Sequence, residues 1–201
     1  DRERIFDVVL TEALKVTGAT HGFISLIDAD TQLLEVRASS GYAPQEIQRL
    51  AAEPVSLGAG ITGHAAVSGE PIVVGDVHES ADYLQLLADT RSEVAMPIRY
   101  AQSIAGVLNL ESPRPDAFTE EHLNFLEALA SQAAIAIGNA QRLEEYKERN
   151  DLLRHRAEQI TNLFDIGQAF RTDQPLDQIL DDVVHAIQET VGFNLVVLSL
   201  L

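Results

Sequence analysis

The chain has 201 residues, of which 46% are hydrophobic and 22% charged; it contains 12 Gly, 7 Pro and no Cys, and 31 acidic against 14 basic residues leave a formal charge of −17. That length supports one good hydrophobic core and a little more, or two small ones. The missing cysteines exclude disulfides, thiolate nucleophiles, Cys-ligated zinc or iron–sulfur clusters and thioether-linked chromophores, and the acidic field disfavours phosphate backbones and anionic lipid.

Ile5, Val9, Leu10, Ala13, Leu14 and Thr17 recur at helical spacing, and Gly18 follows where a C-terminal helix glycine belongs, so an amphipathic helix opens the chain. Phe23 to Ile27 and Leu33 to Ser39 are β-rich runs joined by Asp28-Ala29-Asp30-Thr31, the composition of a hairpin turn. Pro44 to Leu50 is expected as a short helix, Val55 to Leu57 as a short strand, and Ile61 to Val67 as a helix stopped by Gly69-Glu70-Pro71. Ile72 to Val74 is expected as a buried strand, followed by a loop or short helix through Asp89. Val94 to Tyr100 and Ile104 to Leu110 then flank Ala101-Gln102-Ser103 as a last hairpin. Strands that pair as hairpins, with helices before and after them, predict an α+β domain whose antiparallel sheet is covered by helices.

Thr119 suits an N-cap, Glu120 and Glu121 suit the positive end of a helix dipole, and Phe118 can staple onto Leu123. Leu126, Leu129, Ala133, Ala136, Ala140 and Leu143 continue at alternating spacings of three and four. The pattern resumes through Tyr146, Asn150, Leu153, Ala157, Ile160 and Phe164 after one step of three where four was due. It predicts a coiled-coil helix over 119–170 that pairs two copies of the chain, with a stammer near Leu143 and Asn150 as a polar register residue. The basic stretch from Lys147 to Arg156 is interleaved with Glu148 and Asp151, as on a solvated helix face rather than a nucleic-acid groove.

An internal repeat follows. Ile179, Asp181, Val183, Gly192, Ser199 and Leu200 match Ile5, Asp7, Val9, Gly18, Ser25 and Leu26 at one constant offset of 174 residues. Residues 175–201 therefore look like a second copy of the opening helix and first strand, too short to complete a core. No apolar run reaches the roughly 18 residues that span a bilayer and no signal-peptide layout precedes the first helix, which makes the cytoplasm the expected location. A start at Asp1 and an end within an apolar run suggest a piece of a longer protein.

Gly58-Ala59-Gly60-Ile61-Thr62-Gly63 spells a dinucleotide fingerprint, with Asp76 downstream, but the following helix is too short for a crossover between parallel strands. A kinase glycine loop would need a following Lys, and no Lys occurs between Lys15 and Lys147. The turn retains the ability to aim backbone N–H groups near Ile61 and Thr62 at a bound group. His21, His64, His78, His122, His155 and His185 show no metal-ligand spacing, and no nucleophile elbow exists, so neither a metal nor a catalytic constellation is expected.

The order of these motifs resembles a GAF domain, a small-ligand sensing module of bacterial signalling proteins such as sensor histidine kinases. The resemblance rests on the helix from Ile5 to Gly18, on Leu57 to Ala66, on Ser68 to Val77, on Arg91 to Ile98, on Gly106 to Leu110, and on Phe118-Thr119-Glu120-Glu121 before a long helix; it covers residues 1–140. It implies a six-stranded antiparallel sheet with helices on both faces, a ligand pocket on one of them, and homodimers through the terminal helices. By the same resemblance Ile61, Thr62, Asp76, Tyr83 and Ser92 would line the pocket. Family members that hold bilins or reduce free methionine sulfoxide act through cysteines, which this chain lacks. Those that bind cyclic nucleotides carry an Asn-Lys, Phe and Asp-Glu signature; here Asn109 and Phe118 stand, but Leu110 replaces the Lys and His122-Leu123 the acidic pair. The expectation is a non-catalytic sensory module without a cofactor, relaying an unknown small ligand's presence through a dimeric helix. The alternative is a ligand-free dimerisation spacer, its pocket filled by Leu84, Leu86 and Leu87.

Overall fold

A computed structural model describes residues 2–169 and, beyond them, positions 175, 177, 178, 180, 181, 184 and 185. The repeat expected over 175–201 therefore lies outside the described residues apart from those scattered positions. The chain divides into two compact units, Asp1–Arg142 and Leu143–Leu201.

In the first unit, α1 (Arg2–Thr17) ends at Gly18, whose φ of +67° is the left-handed conformation that glycine adopts without strain. Strands β1 (His21–Ile27) and β2 (Leu33–Ser40) pair antiparallel. Their turn is tied by Asp28, whose Oδ1 accepts from the backbone of Asp30 and Thr31 and from the Thr31 hydroxyl. Helix α2 (Pro44–Ala52) starts with Pro44 in its first turn, while the Glu46 carboxylate accepts from Ala43 N–H at 2.6 Å. Then follow β3 (Val55–Ser56), α3 (Gly60–Ser68), β4 (Ile72–Val74), a single 3₁₀ turn at Val77–Glu79, and the hairpin of β5 (Ser92–Tyr100) and β6 (Ser103–Ser112). The six strands form one antiparallel sheet in the order β3-β2-β1-β6-β5-β4. Pro97 is tolerated inside β5 because β4 covers only Glu93, Val94 and Ala95, leaving that edge free further along.

Helices cover both faces. On one, Phe6, Val9, Leu10 and Ala13 of α1 and Leu126, Leu129, Ala130, Ala133 and Ile137 of α4 (Glu120–Ala169) pack on Ile24, Leu26, Met96, Ile98, Leu108 and Leu110. On the other, Ile61, Ala65 and Ala66 of α3 pack on Leu34, Ala95 and Val107. Helix α4 begins with a reciprocal cap: Thr119 Oγ1 accepts from His122 N–H, and Thr119 N–H donates to His122 Nδ1, so a histidine takes the position where an acidic residue usually closes the box.

Three expectations need correction. Ile5 is exposed and Phe6 takes the inward position at the start of α1, because the stripe through Val9, Leu10 and Ala13 runs back to Phe6. Ile72–Val74 is an edge strand with Val73 exposed, not a buried one. Most consequential, Leu126, Leu129, Ala133 and Ala136 are buried within their own unit and Ala140 is half-buried, so this part of the predicted seam is spent on the chain's own sheet. The second unit presents the opposite picture, with Leu143, Tyr146, Asn150, Leu153 and Ile160 all exposed on the helix. Among the described residues no helix is long and apolar enough to cross a membrane.

Candidate functional site

Alternation along β5 and β6 decides what each face presents. Val94, Met96 and Ile98 point toward α1 and α4, so Glu93 and Ala95 point toward α3; on β6, Leu108 and Leu110 face the first core, and Val107, Asn109 and Glu111 face the second side. Cross-strand register then assembles a polar row: Glu93 lies opposite Glu111, Asn109 lies between Ala95 and Phe23, and His21 flanks Glu111 on β1. Glu93, Glu111 and Asn109 are only 6%, 3% and 1% exposed.

Glu111 is held from both sides. Its Oε1 accepts from the Tyr42 hydroxyl at 3.0 Å and its Oε2 from the Thr90 hydroxyl at 2.6 Å. Tyr42 reaches it because the chain reverses at Gly41, where φ is +92° and an added Cβ would collide with the Thr20 carbonyl. The Tyr42 ring packs against those of His21 and Phe23, with centroids 5.2 and 6.3 Å away. Burial pushes the Glu93 carboxyl well above the ordinary carboxylate range and the facing Glu111 pushes it further, while the Asn109 amide pulls the other way. Burial raises Glu111 too, opposed by the Thr90 and Tyr42 hydroxyls. The two hydroxyl acceptances leave lone pairs on both Glu111 oxygens. Asn109 Oδ1 and Ser25 Oγ are buried on the same face with no hydrogen-bond partner, which is costly for a polar atom shielded from water.

The segment 80–91 closes over this row. Leu87 is buried against Phe23 and Tyr42, Tyr83 donates its hydroxyl to Leu87 O at 3.4 Å, and burial pushes the Tyr83 phenol up to about 12. Beside it opens a cleft of about 400 Å³ between this segment and α2–β3, lined by Leu50, Val55, Ala59, Leu84 and Leu86 among others. Leu50 and Leu86 also pack on the Phe23, Tyr42 and Leu87 cluster, so the cleft is one side-chain layer from Glu111.

The five residues expected to line a pocket separate. Ile61 and Thr62 are buried on the inward face of α3, and Tyr83 is half-buried in the covering segment. Asp76 serves the backbone and an ion pair: it caps the 3₁₀ turn by accepting from His78 N–H and pairs with Arg91 at 2.6 Å, and these contacts hold its carboxyl far below the ordinary range. Ser92 faces away, sharing the side of Val94 and Met96, and donates to Arg114 O at 2.7 Å. The residues missed were its neighbour Glu93, with Glu111, Asn109, Tyr42, Thr90 and Ser25. A signal existed in Glu93 and Asn109, polar residues at the inward positions of otherwise apolar central strands.

A family model described as a GAF domain matches residues 1–138. Among curated proteins, a sensor histidine kinase of Bacillus subtilis, YhcY, is 26% identical over 216 residues, covering 96% of this chain and 55% of its own length. An uncharacterized sensor-like histidine kinase of Chloroflexus aurantiacus is 24% identical over 156 residues, 77% of this chain and 25% of its own. The chain thus spans about half the length of the first relative and a quarter of the second. Similar solved structures include the GAF domain of an Acinetobacter phosphoenolpyruvate-protein phosphotransferase, with a TM-score of 0.63 at 22% identity over 71% of this chain and 85% of that one. The free methionine-R-sulfoxide reductase of Neisseria meningitidis also scores 0.63 at 22% identity, over 71% and 81%. The GAF region of a putative membrane protein of Geobacter sulfurreducens scores 0.60 at 27% identity, over 69% and 93%.

Proposed function

The chain belongs to the GAF domain family, and from that premise we propose that it is a non-catalytic sensory module that binds a small molecule at the polar row of Glu93, Asn109 and Glu111 and relays its presence along α4. The observation that carries this reading is a pair of partnerless buried acceptors on one sheet face, Asn109 Oδ1 next to two facing carboxyls under a covering segment and Ser25 Oγ further along β1. A purely structural core gains nothing from leaving such atoms unsatisfied, whereas a ligand with donors satisfies them.

The relay is a dimer of α4 helices. Leu143, Tyr146, Leu153 and Ile160 are exposed large apolar side chains at helical spacing, and a second copy is the partner that a repeating seam fits. The ligand acts by favouring one packing of the helix pair over another, which requires it to bind the two with different affinity. The output belongs to a region outside residues 1–201, of the histidine-kinase kind by analogy with the two curated relatives. Catalysis through cysteine is closed to a chain without one.

Native mass spectrometry of the purified chain tests both parts at once. A dimer carrying a small molecule is the expected result, and a monomer that stays monomeric at micromolar concentration overturns the relay. One observation favours the alternative of a ligand-free spacer: Leu87 already fills the space beside Phe23 and Tyr42. An empty dimer whose melting temperature no metabolite raises selects that alternative, since a binder at 100 times its dissociation constant adds about 2.7 kcal/mol.

A further inference from the structure

Glu93 and Glu111 face each other with little access to water, and among the described residues no Lys or Arg pairs with either. The arginines of the folded unit that form side-chain ion pairs spend them elsewhere, Arg37 on Glu35, Arg49 on Glu53, Arg91 on Asp76 and Arg99 on Glu70, and among the described residues no salt bridge involves either glutamate. What surrounds the pair is rich in acceptors. Asn109 Oδ1 lacks a partner, and each Glu111 oxygen has accepted a single hydroxyl proton.

From this arrangement we infer that the site takes a small organic cation bearing N–H donors, an ammonium or guanidinium, with its charged end between Glu93 and Glu111 and a donor on Asn109 Oδ1. The inference rests on the sensory reading above and specifies the chemistry of its ligand. An anion would be repelled by whichever carboxyl is ionised, and a neutral hydroxyl compound would bring no countercharge to either. A cation supplies both the missing charge and the missing donors.

Binding is then linked to protons. Burial holds both carboxyls above their ordinary range, so a cation that favours their ionised forms expels protons as it enters, and affinity rises with pH. The other groups that face or electrostatically influence the pair are His21 from β1, Tyr42 after β2, and Tyr83 and Asp89 from the covering segment; α3 contributes no titratable group to it, since His64 pairs outward with Asp82.

The test uses the whole chain and four probes of matched size: butylammonium, butylguanidinium, 1-butanol and butyrate, titrated calorimetrically from about pH 6 to about pH 8. The two cations are expected to bind more tightly as pH rises, with heats that vary with the buffer's ionisation enthalpy. Glu93→Gln and Glu111→Gln are each expected to weaken them about tenfold or more. Binding of 1-butanol or butyrate as tight as that of the cations, cation affinity indifferent to both Gln variants, or no cation binding at all overturns the inference. A molecule of another charge class retained in native spectra leaves the sensory reading standing without it, and failure of every metabolite class to bind removes both.

Discussion

Glu93 and Glu111 carry opposite consequences for stability and for the proposed binding of a cation. In the folded chain they keep their protons at pH values where an unfolded glutamate, with its ordinary value of 4.5, has released them. Stability contributed by the buried protonated forms is therefore complete below about pH 4.5 and is lost as the pH rises through the folded values. Glu93→Gln, which cannot ionise, is expected to melt at a higher temperature than the parent at pH 8, the gap closing toward pH 5; differential scanning fluorimetry across that range reads it directly. Ser92, the adjacent residue, provides the control for which face matters. Ser92→Ala removes a bond to Arg114 O on the opposite side and is expected to cost about 1 kcal/mol of stability in urea unfolding while leaving ligand affinity unchanged. The expectation that Ser92 lines the pocket failed by a single position, and in a strand one position exchanges the two faces.

At the scale of elements, α4 contains two apolar stripes with the same three-and-four spacing, one buried against the chain's own sheet and one exposed. Leu126→Ala, within the core shared with α1 and the sheet, is expected to cost about 2–5 kcal/mol in chemical denaturation. Gly138→Ala pushes a methyl into the ring of Tyr100 at the end of β5 and is expected to cost about 1–3 kcal/mol. Leu153→Ala is expected to leave the melting of the folded unit unchanged and to weaken self-association in sedimentation equilibrium, since Leu153 is exposed on the second unit. Helical spacing and capping residues made the helix and its start at Thr119 legible, as β-rich runs and turn chemistry did for the strands, β4's place at the edge excepted. Spacing is blind to the partner, however: a stripe that packs on the chain's own sheet and one that packs on a second copy have the same period. The break at Leu143 coincides with the boundary between the two units. The polar row was less legible for a related reason. Tyr42 and Thr90 reach Glu111 only after the reversal at Gly41 and the closure of segment 80–91, and both are tertiary events with no periodic trace.

For the molecule as a whole, charge is unevenly shared. Residues 1–142 hold 9 basic and 20 acidic side chains, a net of −11, whereas residues 143–162 hold 4 and 5, a net of −1. Two copies that pair along the nearly neutral stretch must still bring two strongly acidic bodies together. Self-association is therefore expected to tighten as salt rises from about 0.01 to about 0.1 M, where the screening length falls from about 30 to about 10 Å; sedimentation at the two concentrations measures it. The sheet sets a second constraint. On β6, Leu108 and Leu110 support α1 and α4 while Asn109 and Glu111 form the polar row, residue by residue along one backbone. On the reading that the row binds a ligand, no insulating layer separates recognition from helix support, so the two cannot diversify independently. A lineage that retunes the row for a new ligand inherits an altered seat for its helix, and its next accepted substitutions are expected at the positions of α1 and α4 that rest on that strand.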